Sequence, residues 1–200
     1  VRLRKCLQRL KKQQKSKSLL RSVKRKSLPI HYYGHPILRT HCKPIEEITD
    51  EIRELVLDMM YTMDQNNGIG LAAPQIGYPI RLFVLRNYIE KADGHLGVSE
   101  PKAYINPKLH SPSQETWQDE ERCLSLPGIG GTVERPISII VEATDLSGTQ
   151  FIEEVTGLNA RVRMHENDHL NGVLLIDRVL PHERKLLDPF LRQIKKKYNK

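Results

Sequence analysis

Residues 137–155, ISIIVEATDLSGTQFIEEV, set β-branched runs on either side of Asp145-Leu146-Ser147-Gly148. Two such runs around a turn signal predict an antiparallel hairpin. Further strands are predicted at IRLFVL (80–85) and AYINPKL (103–109), after a Gly-rich loop, GIGLAAPQIGYP. HPILR (35–39) is expected to be extended, because the residue before a proline avoids the helical region. After Thr49, an N-cap candidate, Ile52, Leu55, Val56, Met59 and Met63 recur at helical spacing. Asp50 and Glu51 stand where the helix dipole favours negative charge. Asn66-Asn67-Gly68 predicts a left-handed cap at the end of this helix. A second helix is predicted from about Leu158 to the stop at Asn171-Gly172. A third is predicted over about 182–198, where Pro189 either bends the helix or marks its first turn. Strands without regular βαβ alternation, together with two or three helices, predict an α+β fold. Its sheets, mixed or antiparallel, are expected around the second helix.

Charge divides the chain. Residues 1–27 hold 12 of the 32 Lys and Arg and no Asp or Glu. The other 173 residues carry 20 basic against 24 acidic groups, a net of −4. The overall +8 therefore does not describe a uniformly basic nucleic-acid binder. A basic extension, expected to be disordered, precedes one domain over 28–200. Three readings of the extension stay open: a solvated tail or upstream start, an organellar transit peptide, and an electrostatic tether to RNA. A chain that begins with Val suggests a non-AUG bacterial start or a truncation, which weighs against the transit reading. No apolar run approaches the ~20 residues of a membrane-spanning helix. No secretory segment follows the basic stretch, which argues against export. Three cysteines at unrelated spacings are no disulfide framework and favour a reducing compartment.

The second helix carries RMHENDHLNGV (163–173). Positions i and i+4 share a helix face, so His165 and His169 can direct both imidazoles at one ion. Glu166 lies about 100° round from His165 on a helix of 3.6 residues per turn. It borders such an ion without having to bind it, as a general base requires. Val162 lies on the same side and can pack beneath. Two histidines on a surface helix also occur by chance. The clean helix stop and an unpaired cysteine favour a metal site, since a catalytic tetrahedral site wants three protein ligands and one open position. Cys6 lies in the extension, and Cys42 reads as an ordinary buried thiol. Cys123, in EERCLSLPG, suits a strand end or loop that presents a thiolate.

Three motifs stand in order: GIGLAAPQ (68–75), ERCLS (121–125) and HENDH (165–169). With HPILR before them and NGVLLIDR after, they make residues 28–197 resemble the peptide deformylase family, in flanking text most like bacterial members of the chlamydial type. The resemblance implies a metal-dependent hydrolase that removes the N-formyl group from formyl-methionine at the start of nascent polypeptides. It implies Cys123, His165 and His169 as metal ligands, with Fe(II) the usual ion and Zn(II), Ni(II) or Co(II) able to replace it. Glu166 would move the proton of the attacking water. Gln75, through its side-chain amide, and Leu124, through its backbone N–H, would serve as oxyanion donors. Gly68 and Gly70 would let the loop backbone approach the substrate, Gly70 pairing with it as an added strand does. Ile69, Leu124 and Val162 would form the methionine pocket, although for Ile69 and Val162 taken singly core packing is the better reading of the sequence alone.

Two positions depart from the family. Arg122 precedes the cysteine where the family has glycine, and Gly130 stands where many bacterial members have a substrate-contacting arginine. Arginine at 122 either strains the backbone and crowds the site, or pairs with Glu120 or Glu121 and points away. The alternative to an active enzyme is an impaired relative that binds metal or ribosome without turnover. The basic face of the third helix would suit rRNA phosphates. The expected location is the bacterial cytoplasm, or an organelle matrix if residues 1–27 are a transit peptide.

Overall fold

The computed structural model describes residues 25–198. The extension is described only in its last three residues, so the readings of residues 1–24 lie outside it. The chain is already engaged at Arg25, whose guanidinium meets Glu54 at 2.6 Å. The Leu28 N–H donates to Thr62 Oγ1 at 2.9 Å.

Helix α1 (Asp50–Gln65) begins at Thr49, whose hydroxyl accepts the Ile52 N–H. Val56, Met59 and Met63 are fully buried, each side chain contributing about 1.5–3 kcal/mol by leaving water. Asn67 ends the turn with φ 54°, the left-handed cap expected. HPILR differs from expectation. Only His35 is extended, and Pro36–Arg39 is a 3₁₀ turn, because proline fits the first position of a helical turn, where no N–H is needed.

Among the described residues, nine strands follow. β1 (Gly70–Ala72), β2 (Leu82–Leu85), β5 (Lys102–His110), β8 (Ser138–Thr144) and β9 (Gln150–Thr156) form one sheet in the order β1-β2-β5-β8-β9. The predicted hairpin is β8–β9. The Gly-rich loop supplies β1 at the sheet edge and a 3₁₀ turn, Ala73–Ile76. Two hairpins were not anticipated: β3 (Tyr88–Glu90) with β4 (Leu96–Val98), and β6 (Thr116–Arg122) with β7 (Gly130–Pro136). Every strand ladder is antiparallel.

Helix α2 (Gly157–Leu170) stops at Asn171, followed by Gly172 at φ 70°. It packs against the large sheet on one side and β7 on the other, and so lies in the middle of the fold. Helix α3 (Pro181–Tyr198) runs through Pro189 and so starts eight residues before it. Its Leu191 and Ile194 join a core cluster with Cys123, Leu126 and Val133. No helix among the described residues is long and apolar enough to cross a membrane.

Candidate active site

Three separate segments meet at α2. Strand β6 ends at Arg122, and the chain then turns, closed by the Leu126 N–H on the Cys123 carbonyl at 2.9 Å. The turn leaves the thiol pointing into α2, with Cys123 Sγ 3.2 Å from His169 Nε2. One ligand atom from each of Cys123, His165 and His169 lies within 4.8 Å of the others, and all three residues are buried. Cys42 is a different case. It packs in an apolar cluster, and burial pushes its thiol up to about 11.

The donors fit a divalent metal. A thiol and two imidazoles facing one point are the ligand set of a catalytic site with one position open. His165 gives its Nδ1–H to Glu121 Oε2 at 2.9 Å, which in the neutral ring leaves the lone pair on Nε2. A carboxylate behind a ligating imidazole fixes its tautomer and orientation. Burial would push His165 down, but Cys123 and Glu121 hold it well above the ordinary histidine value. Burial, then the neighbouring charges of His165 and Arg135, push His169 well below it.

Glu121 is the hub beneath the site. Arg135 grips it with two nitrogens, at 2.7 and 2.9 Å. Arg161 Nη1 adds a third contact at 2.8 Å. Arg135 also reaches Asp168 at 2.9 Å, whose other oxygen takes Arg178 at 2.7 Å. Burial would raise the Glu121 carboxyl, yet the contacts from Arg135 and His165 hold it far below the usual carboxylate range.

Glu166 differs in kind from Glu121. It is buried, and its Oε2 has no hydrogen-bond partner. Burial raises its carboxyl to about 7, with the His165 charge opposing and the Glu121 charge adding to the shift. Gly70 of β1 is what admits it: a Cβ there would stand 2.2 Å from Glu166 Oε1. Gln75 approaches from the 3₁₀ turn. Its Oε1 accepts the Ala72 N–H at 2.8 Å, and an N–H can only donate, so the amide NH₂ must face the other way. That group lies 3.1 Å from Ser125 Oγ and 3.6 Å from Cys123 Sγ.

Gly68, Ile69, Gly70, Gln75, Cys123, Leu124, Val162, His165 and Glu166 all line one cavity of about 670 Å³. His169 completes the metal cluster from behind it. Arg122 does not crowd the site. Its Nη2 pairs with Glu120 Oε1 at 2.8 Å, and its side chain is 74% exposed. Asn67, Asn106 and Ser111 are the only non-glycine residues with positive φ among those described, so Arg122 carries no such strain. The sequence reading missed Glu121, Arg135, Arg161 and Ser125. The available signal was the motif ERCLS, in which Glu121 and Ser125 stand two residues either side of Cys123.

An antiparallel α+β fold around a helix bearing HExxH, with a cysteine closing a Cys-His-His cluster, defines a class of metal-dependent hydrolase. The chain belongs to the peptide deformylase family, since the family described as polypeptide deformylase matches residues 27–185. A peptide deformylase of Acinetobacter baumannii is 45% identical over 157 residues, covering 78% of this chain and 85% of that one. The crystal structure of the Thermotoga maritima peptide deformylase is similar with a TM-score of 0.69 and 38% identity, over 78% of this chain and 99% of that one. The peptide deformylase of Ehrlichia chaffeensis gives a TM-score of 0.76 at 35% identity, over 86% of this chain and 97% of that one.

Proposed function

We propose that residues 28–200 form a catalytic domain that hydrolyses the formyl amide of N-formyl-methionyl nascent peptides and releases formate. The observation that carries this reading is the buried Glu166 carboxylate, without a partner on Oε2, beside the Cys123-His165-His169 cluster. Cys123, His165 and His169 would hold one divalent ion. Fe(II) is the proposed ion in cells, and Zn(II), Ni(II) or Co(II) suit the same ligands. When bound, the ion supplies Lewis-acid polarisation of the formyl carbonyl and an acidified water.

The chain's own groups do the rest. Glu166, poised near neutrality, accepts the proton of the attacking water and returns it to the leaving amine. The Gln75 amide and the Leu124 N–H donate to the oxyanion, each worth about 2.7–4 kcal/mol in a pre-oriented site. Ile69, Leu124 and Val162 hold the methionine side chain, while Gly68 and Gly70 leave the edge of β1 open to the peptide backbone. No observation favours an impaired relative, since the Arg122 guanidinium stands at the exposed rim of the cavity, paired with Glu120.

The test is formate release from formyl-Met-Ala-Ser by anaerobically prepared Fe(II) protein. Glu166→Ala should keep one metal per chain and lose roughly 10²–10⁴-fold in rate, the usual contribution of a positioned acid-base group. Folded wild-type protein with one bound metal and no formate release would sink the reading.

We also propose that the basic face of α3 contacts rRNA. Deleting α3 is a poor test, because Leu191 and Ile194 share a core cluster with Cys123. Arg192 and Lys196 are exposed, so the variant to make is Arg192→Glu/Lys196→Glu. It should lose salt-sensitive ribosome binding and keep turnover of free peptide. Binding equal to wild type at low salt would rule the contact out.

A further inference from the structure

Arg122 ends β6, Gly130 begins β7, and the two are direct cross-strand partners. Side chains of paired residues stand on one face of the ladder. A side chain at 122 and one at 130 would therefore rise side by side. Glu120 and Arg122 both line the cavity that holds Glu166 and the thiol, together with Tyr32, Asn66 and Asn67. Their exposure, 57% and 74% of each side chain, places them at its rim and not its floor. Glu120 reaches Arg122 by lying across Gly130, where a Cβ would stand 2.5 Å from Glu120 Oε1. The absent side chain at 130 and the guanidinium at 122 are thus one feature. Glycine makes the room in which Glu120 orients the arginine.

A guanidinium carries five N–H donors and accepts nothing. Glu120 engages Nη2, and the remaining donors are left for oxygen acceptors at the rim. A peptide whose formylated residue sits beside Glu166 must leave over this rim, and its main-chain carbonyls are neutral acceptors that Glu120 does not repel. Resting on the deformylase reading, we propose that Arg122 is a substrate-binding residue that donates to a main-chain carbonyl of the peptide beyond its formylated residue, with Glu120 as its positioning partner. Such a contact is made equally to substrate and transition state, so it belongs in KM and not in kcat.

The experiment has a kinetic and an equilibrium arm, both with metal-loaded protein and formyl-Met-Ala-Ser-amide, which has no terminal carboxylate. In Arg122→Gly, KM should rise roughly tenfold, the size of one hydrogen bond from a charged donor, with kcat unchanged. On a Glu166→Gln background, which permits equilibrium titration, the same substitution should weaken binding by the same factor. Arg122→Lys, which keeps a cationic donor at the rim and leaves Gly130 in place, should lose less than Arg122→Gly. A wild type that releases no formate refutes the deformylase reading, and the titration still decides the role of Arg122. An unchanged dissociation constant in Arg122→Gly overturns the proposal. So does a loss confined to kcat, which marks a structural role.

Discussion

Gly70 and Glu166 touch across the site with no space for a single carbon between them. The backbone at Gly70 does not have positive φ, so alanine is conformationally allowed there. Its methyl would instead push the carboxylate aside. Gly70→Ala should therefore fold with a melting temperature close to wild type and lose roughly 10²-fold in kcat, the cost of misplacing a reacting group by about 1 Å. A variant with full kcat would show that Glu166 has slack in this position. The sequence offered the glycine and the glutamate as separate motif members. Their contact was not legible, because 95 residues lie between 70 and 166 and no local pattern records what faces a glycine.

At the scale of elements, the β6–β7 hairpin and α2 act as one unit through Glu121. Glu121→Gln would leave Arg135 and Arg161, both buried, without their shared anion. Removing one partner of a buried ion pair costs about 3–5 kcal/mol. Losing the carboxylate behind His165 should also weaken metal binding about 10–100-fold. Chemical denaturation and competitive metal titration would read the two effects separately, and a variant as stable as wild type would contradict the hub. The same chemistry hid the hairpin from the sequence. Strands are recognised by apolar residues at every second position. In TWQDEER the less exposed positions are Trp117, Asp119 and Glu121, and in GGTVERP the buried ones are Gly131, Val133 and Arg135. Charge paired with charge replaces the apolar face, so the alternation exists but hydropathy does not register it. The β8–β9 hairpin and α1 were legible because their inward positions are conventional, as is the Thr49 cap. The Cys, His, Glu and Gln of the site were legible because each lies in a short contiguous motif.

For the whole molecule, stability on the acid side depends on similar clusters away from the site. Glu153 of β9 accepts Arg163 Nε at 2.8 Å, the Tyr104 hydroxyl at 2.6 Å and Lys102 Nζ at 2.9 Å. Burial would raise its carboxyl, but the Tyr104, Lys102 and Arg163 contacts outweigh burial and hold it below the ordinary value. A depressed carboxyl stabilises the fold above its unfolded value, about 4.3 for glutamate, and loses that contribution as pH falls through the folded value. Glu153→Gln should therefore be less stable than wild type at pH 7 by about 1.5–3 kcal/mol, as for hydrogen bonds to a charged group. The gap should narrow as the pH is lowered toward 3. Urea midpoints at both pH values provide the check, and a gap that widens in acid would reverse the sign.

The segments that meet around the thiol are far apart in order of synthesis: Gln75 precedes Cys123 by 48 residues, and His169 follows it by 46. A chain still being translated has no centre until α2 has emerged and closed over β6, and the α3 residues that pack beside Cys123 emerge later still. Each new copy is therefore idle for most of its own translation. Any formyl group this protein removes during that interval is removed by a copy finished earlier.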